Sequence, residues 1–389
     1  MLNHANNLQE KLTKYRRDFH MYPELGFQEF RTSAKVAEVL TTLGCHVRSN
    51  VGRTGVVGEL GQGTPIVAIR ADMDALPLQE DNHNAYASLN PGIMHACGHD
   101  AHTAMLLGVA ELISWENNFQ GTVRFLFQPA EEVADIEGFS GAQRMIQDGA
   151  MEGGVGIVIG LHVSAHVPVG KIQISAGPAS GGVDTFRASI LGKGGHGARP
   201  HETVDPIYIT GHVILALNGI ISRKLNPFDA AVVSIGAIHT GQAENIIPSK
   251  VDLLGTLRYT QPRVQKQIHA EIKRAFEIAK TLGGDYQLNF EIGTPPMIND
   301  RKVVNLISTT ARELLGKENV FPLQNGLGAE DFGCFSELVP GAMFYLGSMI
   351  EGNEREHHNS RFDINERCLP IGAAILTETA LRFLRNGSL

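Results

Sequence analysis

The sequence has few of the features that mark secreted, membrane-bound or nucleic-acid-binding proteins. Its 389 residues contain four cysteines, too few for a disulfide framework in a chain of this length. No apolar run approaches the roughly 20 residues that a membrane-spanning helix needs. No basic segment followed by an apolar one, the pattern of a secretory signal, opens the chain. The net charge of −8 argues against a general nucleic-acid binder. We therefore expect a protein of the reducing cytoplasm, with no membrane or nucleic-acid partner.

The rest of the composition is that of a folded chain with more than one domain. Hydrophobic residues make up 43% and charged residues 19%, which is typical of globular rather than disordered proteins. A single hydrophobic core seldom grows to 389 residues, so two domains are expected.

Apolar strands alternate with helical stretches in the first and last parts of the chain. Thr122–Phe127 and Gly156–Leu161 are predicted to be buried strands, and Ala101–Trp115 and Arg301–Leu315 have helical spacing. This alternation predicts an α/β domain with a mostly parallel sheet, formed by residues 1–182 and 291–389. Polar clusters follow several strands, where such sheets place their functional sites.

The pattern changes between residues 183 and 290. There it predicts strand, helix, strand, strand, helix, strand, with helices at Asp205–Leu225 and Gln261–Leu282. This order is typical of a ferredoxin-like fold. We therefore expect an inserted α+β domain.

The run Met94–His102 is the most informative stretch of the chain. One cysteine and three histidines fall within eight residues, and Cys97 and His99 flank a glycine. A thiolate and an imidazole two residues apart can bind one ion when the backbone between them turns sharply, and Gly98 permits that turn. The run therefore predicts part of a metal site.

The acid pair Glu131-Glu132 follows the predicted strand Thr122–Phe127. Because adjacent side chains diverge at the end of a strand, one carboxylate can bind metal while the other faces an attacking water. A metal lowers the pKa of its water toward ~7, and a free glutamate can take the proton. The pattern alone leaves the assignment of the two roles open.

Three later histidines complete the candidate set. His162 follows the strand Gly156–Leu161, and His357-His358 lies in a polar loop. A cysteine nucleophile with a histidine base is an alternative for Cys97, but it explains neither the acid pair nor these histidines. Together the residues predict a catalytic metal site with ligands scattered along the chain.

A glycine-rich segment in the insert resembles a nucleotide-binding fingerprint. Gly192–Gly197 matches G-x-G-x-x-G, but that fingerprint also needs an acidic residue at the end of the next strand, and none is present. We expect these glycines to form a tight turn that presents His196.

Taken together, these motifs resemble the aminoacylase/carboxypeptidase family of dinuclear metallopeptidases, in its branch of hippurate hydrolases and indole-3-acetyl-amino-acid hydrolases. The likeness runs nearly end to end. It includes Arg17–His20, Pro23–Gly26, Asp72–Pro77, His95–His102, Phe127–Glu132, Gly160–His162, Gly195–His201, Gly328–Gly333 and His358–Phe362.

The resemblance implies a fold and a role for individual residues. The fold is a phosphorylase/hydrolase-like catalytic domain with a mostly parallel sheet, plus an inserted ferredoxin-like lid and dimerisation domain. The implied metal ligands for two divalent ions (Mn, Zn, Co or Ni) are Cys97, His99, Glu132, His162 and His358. Glu131 is the implied general base, and the implied substrate contacts from the insert are His196, Asn245 and Arg258, which relatives often use across a dimer.

The sequence departs from other branches of this family at two places. Asp72 stands where the dipeptidase and desuccinylase branches have their first histidine ligand, so Asp72 and Asp74 are expected to orient ligands rather than bind metal. The stretch Val133–Ser140 lengthens the loop after the acid pair. That loop lies beside the site, so the specificity of relatives need not carry over.

The expected activity is that of a metal-dependent amidohydrolase. Its expected substrate is an N-acyl amino acid or a similar small conjugate, cleaved to a carboxylate and a free amino acid. The alternatives are a metallo-dipeptidase or carboxypeptidase, and a catalytically inactive metal-binding homologue. A homodimer or higher homo-oligomer is expected.

Overall fold

The structure of the protein is a computed structural model. It describes residues 1–116, 119–323, 326–352 and 355–387. The chain divides into two compact units. The large unit consists of Met1–Ala179, Ile298–Asn325 and Asp331–Leu389, and the small unit consists of Ser180–Met297 and Gly326–Glu330. The insert expected from the sequence, residues 183–290, falls inside the small unit.

The large unit begins with a helical segment and then alternates strands and helices. Its helices up to residue 179 are α1 (Leu2–Asn6), α2 (Gln9–Met21), α3 (Phe30–Thr42), α4 (His99–Ser114) and α5 (Gly141–Gln147). Its strands in the same part are β1 (His46–Val51), β2 (Gly55–Gln62), β3 (Ile66–Asp72), β4 (Gly121–Gln128), β5 (Val155–Ser164), β6 (Ile172–Gln173) and β7 (Gly177–Pro178).

The small unit follows directly in the chain. Its elements are β8 (Gly182–Leu191), β9 (Gly195–His196), a 3-10 turn (Pro200–Glu202), α6 (Pro206–Arg223), β10 (Ala231–His239), β11 (Ile246–Ile247), β12 (Lys250–Tyr259), α7 (Pro262–Phe276), α8 (Ile278–Thr281) and β13 (Asp285–Ile292). The chain then returns to the large unit through β14 (Ile298–Asn299), α9 (Arg301–Leu315), a 3-10 turn (Lys317–Asn319), β15 (Val320–Phe321), α10 (Phe332–Ser336), β16 (Gly341–Gly347), a 3-10 turn (Glu366–Cys368) and α11 (Leu369–Asn386).

One mixed sheet forms the centre of the large unit. Its strand order is β1-β2-β4-β3-β5-β16-β6-β15. The neighbouring pairs β4-β3, β3-β5 and β5-β16 are parallel, and the antiparallel β1 and β2 lie at one edge. Every residue of β3 and β4 is buried, as expected for strands covered on both faces. The predicted α/β class with a mostly parallel sheet is confirmed.

Helix α4 runs through the core of the large unit. All of its residues from His99 to Ile113 are buried. The predicted helix began at Ala101, whereas α4 begins at His99, because Gly98 takes a left-handed conformation (φ 99°) and caps the helix two residues earlier. Among the described residues, no helix is both long and apolar enough to cross a membrane.

The small unit is built on a four-stranded antiparallel sheet in the order β10-β12-β8-β13. Apolar residues of α6 and α7, including Val213, Leu217, Ile268 and Ile272, pack with the buried face of this sheet in a core of their own. The chain order of strand, helix, strand, strand, helix, strand with this pairing is a ferredoxin-like arrangement.

Candidate metal centre

A glycine turn separates Cys97 from His99. A side chain on Gly98 would be strained by the positive φ, and its Cβ would lie 2.4 Å from Cγ2 of Val163. Glycine is therefore required here for both conformation and space. The turn leaves Cys97 before α4 and places His99 in its first turn, which is the geometry that the sequence predicted for this spacing.

The acid pair lies on a strained turn at the end of β4. Ala130 has a φ of 45°, in the left-handed region that residues with a Cβ seldom adopt. The amide of Ala130 donates to Oε1 of Glu29 at 2.8 Å, and the amide of Glu132 donates to Oδ2 of Asp74 at 3.0 Å. Buried carboxylates thus hold the backbone on both sides of Glu131.

The remaining candidates come from β5 and from the loop after β16. The strand β5 continues two residues beyond His162, because its pairing with β16 extends to Ser164. His162 therefore lies within the strand and not at its end. His358 has a φ of 59°, and its amide donates to the carbonyl of Ala96 at 2.8 Å, which fixes this loop beside the Cys97 turn.

The predicted ligands converge in two groups that share Cys97. In the first group, donor atoms of Cys97, His99 and His162 lie within 4.8 Å of one another, and in the second so do those of Cys97, Glu132 and His358. Sγ of Cys97 lies 3.4 Å from Nε2 of His162, and Nε2 of His358 lies 3.1 Å from Oε1 of Glu132. A third group joins Glu131 to His99 and Glu132. The structure thus brings the six residues together.

Hydrogen bonds fix which nitrogen of His99 and His162 faces this cluster. Nδ1 of His99 lies 2.9 Å from the carbonyl oxygen of Asp74, and Nδ1 of His162 lies 2.7 Å from that of Val163. Because a carbonyl only accepts, both Nδ1 atoms carry a hydrogen, so Nε2 is the nitrogen of each ring that can bind a metal ion. Such bonds to the far nitrogen are the usual way in which proteins orient histidine ligands.

Two buried atoms of the cluster have no hydrogen-bond partner among the described residues. They are Nε2 of His99 and Oε1 of Glu132. Although His358 lies 3.1 Å from this oxygen, the two atoms do not have hydrogen-bond geometry. Buried polar atoms are rarely left unsatisfied. Thiolate, imidazole and carboxylate donors that face one another in this way fit divalent metal ions.

The electrostatics at His99 also favour a cation. Burial lowers the pKa of His99, but the carboxylate of Asp72 and the Cys97 sulfur raise it more, and the net result is a pKa well above the ordinary value. This environment stabilises positive charge at the ring. A metal ion at Nε2 would take the place of the proton there.

Two neighbouring histidines are fully occupied by other partners. His102 donates from Nδ1 to Oδ1 of Asp72 at 2.6 Å, and its Nε2 accepts from the amide of Val163 at 2.9 Å. His357 lies with Nδ1 3.2 Å from the carbonyl of Cys97, and its Nε2 accepts from the amide of Ala165 at 3.3 Å. Burial lowers the pKa of His102 to about 4 and that of His357 to about 2, so both rings are neutral. This geometry favours His358 over His357 as a ligand.

Asp74 contacts His99 on its Nδ1 side, whereas Oδ2 of Asp72 lies 3.7 Å from Nε2 of the same ring. Oδ1 of Asp74 lies 3.2 Å from Nδ1 of His99, and Oδ2 accepts from the Glu132 amide. Asp72 bonds His102 and also the buried Arg70 at 2.5 Å. Burial opposes ionisation of Asp72, but Arg70 and the neighbouring histidines hold its pKa well below the ordinary value.

The sequence patterns did not identify three buried residues that support the site, Arg70, Gln128 and Asp331. Arg70 donates to Gln128 at 2.7 Å and to Asp331 at 2.9 Å, and all three side chains are buried. Arg70 itself was a signal, because it lies in the middle of an apolar strand. A buried arginine needs acidic partners, so its position pointed to an acid elsewhere in the chain.

The buried thiol of Cys97 does not have the properties of an activated nucleophile. Burial raises its pKa far above the ordinary value, although His99 acts in the opposite direction. Reactive cysteines instead have lowered pKa values. The thiols of Cys45, Cys334 and Cys368 are also buried.

The chain matches known proteins over most of its length. Residues 68–382 match the model of peptidase family M20/M25/M40. The chain belongs to this family. An IAA-amino acid hydrolase of Arabidopsis thaliana is 37% identical over 96% of this chain and 85% of its own. An N-acetyl-L-cysteine deacetylase of Bacillus subtilis is 36% identical over 97% and 89%.

A solved structure agrees with these matches. The YXEP protein of Bacillus subtilis, a dinuclear metal-binding peptidase of the M20 family, superposes with a TM-score of 0.85 at 33% identity, over 98% of this chain and 99% of its own. The predicted family is therefore confirmed. So is the expected enzyme class, a metal-dependent hydrolase of amide bonds.

The three residues expected to meet the substrate from the insert lie in two places of the small unit. His196 is exposed on β9, which pairs with β11, and the amide of Gly197 donates to the carbonyl of Asn245 at 2.8 Å. Arg258 pairs with Val183 at the end of the sheet where the chain enters the unit. The structure therefore brings His196 and Asn245 together but leaves Arg258 apart.

In the segment Gly192–Gly197, the expected turn is formed at Gly197, after His196, and not by the glycines before it. Gly194 directly precedes β9, and Gly195 is its first residue. A Cβ on Gly194 would lie 2.7 Å from the carbonyl oxygen of Ile247, and one on Gly192 would lie 2.1 Å from that of Val204. These glycines allow close backbone approach, and the turn comes after His196, at Gly197-Ala198.

Proposed function

We propose that the protein hydrolyses the amide bond of N-acyl amino acids or similar small conjugates with two divalent metal ions. The two groups of donor atoms that share Cys97, together with the unsatisfied Nε2 of His99, carry this proposal. The proposed ligands are Cys97, His99, Glu132, His162 and His358. When bound, the ions would polarise the acyl carbonyl and lower the pKa of the attacking water.

Glu131 is the proposed general base. Its neighbour Glu132 faces His358 and His99, at 3.1 and 3.9 Å from their Nε2 atoms, and so is the better candidate for a ligand. Glu131 takes the proton of the attacking water and passes it to the leaving amine. General acid–base catalysis of this kind contributes about 10²–10⁴-fold to the rate.

The small unit is the proposed lid and dimerisation domain. His196 stabilises the oxyanion that develops on the acyl carbonyl. Asn245 and Arg258 bind the substrate, and a guanidinium suits its carboxylate. The large unit carries the proposed metal ligands and Glu131, and is the proposed catalytic domain.

The register of the small unit's sheet supports a contribution from a second subunit. Arg258 pairs with Val183 near the start of β8, whereas Lys250 pairs with Leu191 at its end, and the chain continues from there to His196. At ~3.3 Å per residue, this ladder separates Arg258 from the His196 end by roughly 25 Å. This separation favours contact of a small substrate with Arg258 of one chain and His196 of another, so we propose that His196 acts across a homodimer.

We infer the substrate class from the names of the relatives. One relative is named for hydrolysis of IAA-amino acids and another for deacetylation of N-acetyl-L-cysteine. In both names the substrate is an acylated amino acid, and we propose that class here, with the acyl group left open. The four cysteines are buried and form no disulfide with one another in the described part of the chain, which is compatible with a reducing cytoplasm, the compartment that we propose.

A substrate panel tests this function. Purified protein is assayed with acetyl-, benzoyl- and indoleacetyl-amino acids and with matched dipeptides whose amino group is free. Mn, Zn, Co or Ni is added in turn. We expect release of free amino acid from at least one acylated compound in preference to its dipeptide. Preference for the dipeptides would identify a peptidase. Metal binding without turnover of any compound would identify an inactive homologue.

A further inference from the structure

The segment that precedes α3 packs against the turn that carries Glu131 and Glu132. Gly26 approaches this turn so closely that a Cβ there would lie 2.5 Å from Cγ2 of Val133 and 3.0 Å from Cβ of Ala130. The segment that contains Gly26 and Glu29 leads directly into α3. It is therefore packed against the backbone that presents Glu131.

Glu29 is the residue of this segment whose side chain bonds the turn. Its side chain is 0% exposed. Oε1 accepts the amide of Ala130 at 2.8 Å, and the hydroxyl of Thr54 donates to Oε2. A buried carboxylate is costly unless its oxygens are hydrogen-bonded, and both oxygens of Glu29 are. Its position is thus fixed by two partners from distant parts of the chain.

The amide that Glu29 holds belongs to the strained residue of the turn. Ala130 has a φ of 45°, and an L-residue stays in that region only when its surroundings hold it there. On the other side of Glu131, the amide of Glu132 is held by Asp74. The backbone that carries the Glu131 side chain is therefore held by two carboxylate–amide bonds, one on each side.

We propose that Glu29 is a positioning residue for catalysis: its bond to the Ala130 amide holds the strained turn and so aims Glu131 at the attacking water. The inference depends on the proposed role of Glu131 as general base. Its physical basis is that a general base must be placed within hydrogen-bond reach of the proton it removes. A displacement of about 1 Å can cost about 10²-fold in rate.

Two substitutions that differ in one property test this role. Glu29→Met keeps the length of the side chain but cannot accept the Ala130 amide, whereas Glu29→Gln keeps an accepting oxygen. We expect Glu29→Met to lower kcat about tenfold or more, with KM and metal content within about twofold of wild type. Glu29→Gln should restore kcat to within about threefold. A kcat within about twofold of wild type in Glu29→Met would overturn the inference.

Glu24 provides a matched control on the same segment. Its carboxylate accepts the amides of Arg31 and Thr32 at 2.9 and 2.8 Å, so it holds the start of α3 and not the turn. Glu24→Met should lower the melting temperature but leave kcat within about threefold. An equal loss of kcat in Glu24→Met would show that loosening the segment suffices, which contradicts a specific role for Glu29.

A double substitution separates positioning of Glu131 from general damage. If Glu29 acts through Glu131, Glu29→Met should cause no further loss of kcat in protein that already carries Glu131→Gln. A multiplied loss would overturn the inference. If Glu29→Met does not fold, Thr54→Val removes only the hydroxyl that orients Glu29. A loss of about threefold would then support the role, and an unchanged kcat would refute it.

These measurements distinguish failure of the inference from failure of the proposed function. If Glu131→Gln alone keeps wild-type kcat, Glu131 is not the base, and both proposals fall. If Glu131→Gln is nearly inactive while Glu29→Met has normal kcat, only the inference about Glu29 is wrong.

Discussion

Replacement of Glu29 by glutamine should stabilise the protein above neutral pH but not in mild acid. Burial, and then the charge of Asp74, raise the pKa of Glu29 from 4.5 to about 7. A raised carboxyl pKa means that the folded state holds this proton more tightly than the unfolded chain does. The stability that the proton provides is complete below about pH 4.5 and is lost as the pH rises through about 7. Glutamine does not titrate and keeps an oxygen for the Ala130 amide.

The size of the effect follows from the shift in pKa. A rise from 4.5 to about 7, at about 1.4 kcal/mol for each pH unit, amounts to about 3 kcal/mol of stability that wild type loses and Glu29→Gln does not. For a unit of this size, 1 kcal/mol corresponds to roughly 2–4 °C in melting temperature. The gap between the two proteins should therefore widen by about 5 °C or more between about pH 5 and about pH 8.5.

Thermal unfolding of both proteins across this pH range is the appropriate assay. A chelator is present throughout, so that the release of metal does not contribute. Other titrating groups are shared by the two proteins and cancel in the difference between their melting temperatures. If the difference in melting temperature stays constant from about pH 5 to about pH 8.5, Glu29 has the same pKa in the folded and unfolded states. That result would refute the reasoning.

Four further outcomes are expected at the metal centre. Glu131→Gln should keep its metal and lose about 10²-fold or more in kcat, whereas Glu132→Gln should bind metal more weakly; metal analysis beside steady-state kinetics decides. His358→Ala should lower the metal content, while His357→Ala should not, because both ring nitrogens of His357 already face backbone groups. Chelation should abolish activity and added divalent metal should restore it, and activity that survives complete metal removal would exclude the metal mechanism. Mixing inactive His196→Ala with inactive Glu131→Gln protein should restore part of the activity in heterodimers, and no recovery after verified subunit exchange would argue against action across the dimer.

Much of the fold was readable because local signals agreed with tertiary burial. Helix α9 has the predicted bounds, Arg301–Leu315, since Asp300 caps its start and Gly316 follows its end. Two predicted bounds were wrong. Helix α4 begins earlier because of the left-handed Gly98, and β5 ends later because it pairs with β16.

The residues behind the site could not be found in the same way. Glu29 bonds Ala130, which lies 101 positions away, and Arg70 bonds Asp331 across 261 positions. Neither pair has a local pattern, because each depends on which strand ends the sheet topology brings together. The candidate ligands were easier to find, since a cysteine between histidines and a pair of acids form recognisable local patterns in the sequence.

The difference between a candidate ligand histidine and the other buried histidines of the site arises at Nε2 of the ring. His99, His102, His162 and His357 all face a backbone carbonyl or a carboxylate with Nδ1. Their Nε2 atoms differ: two accept from the amides of Val163 and Ala165, at the end of β5 and just beyond it, and the other two face the Cys97 cluster. Backbone amides near the end of one strand therefore select which histidines remain available to metal. No spacing in the sequence records that choice, because it depends on how far β5 runs beside β16 before the chain turns away.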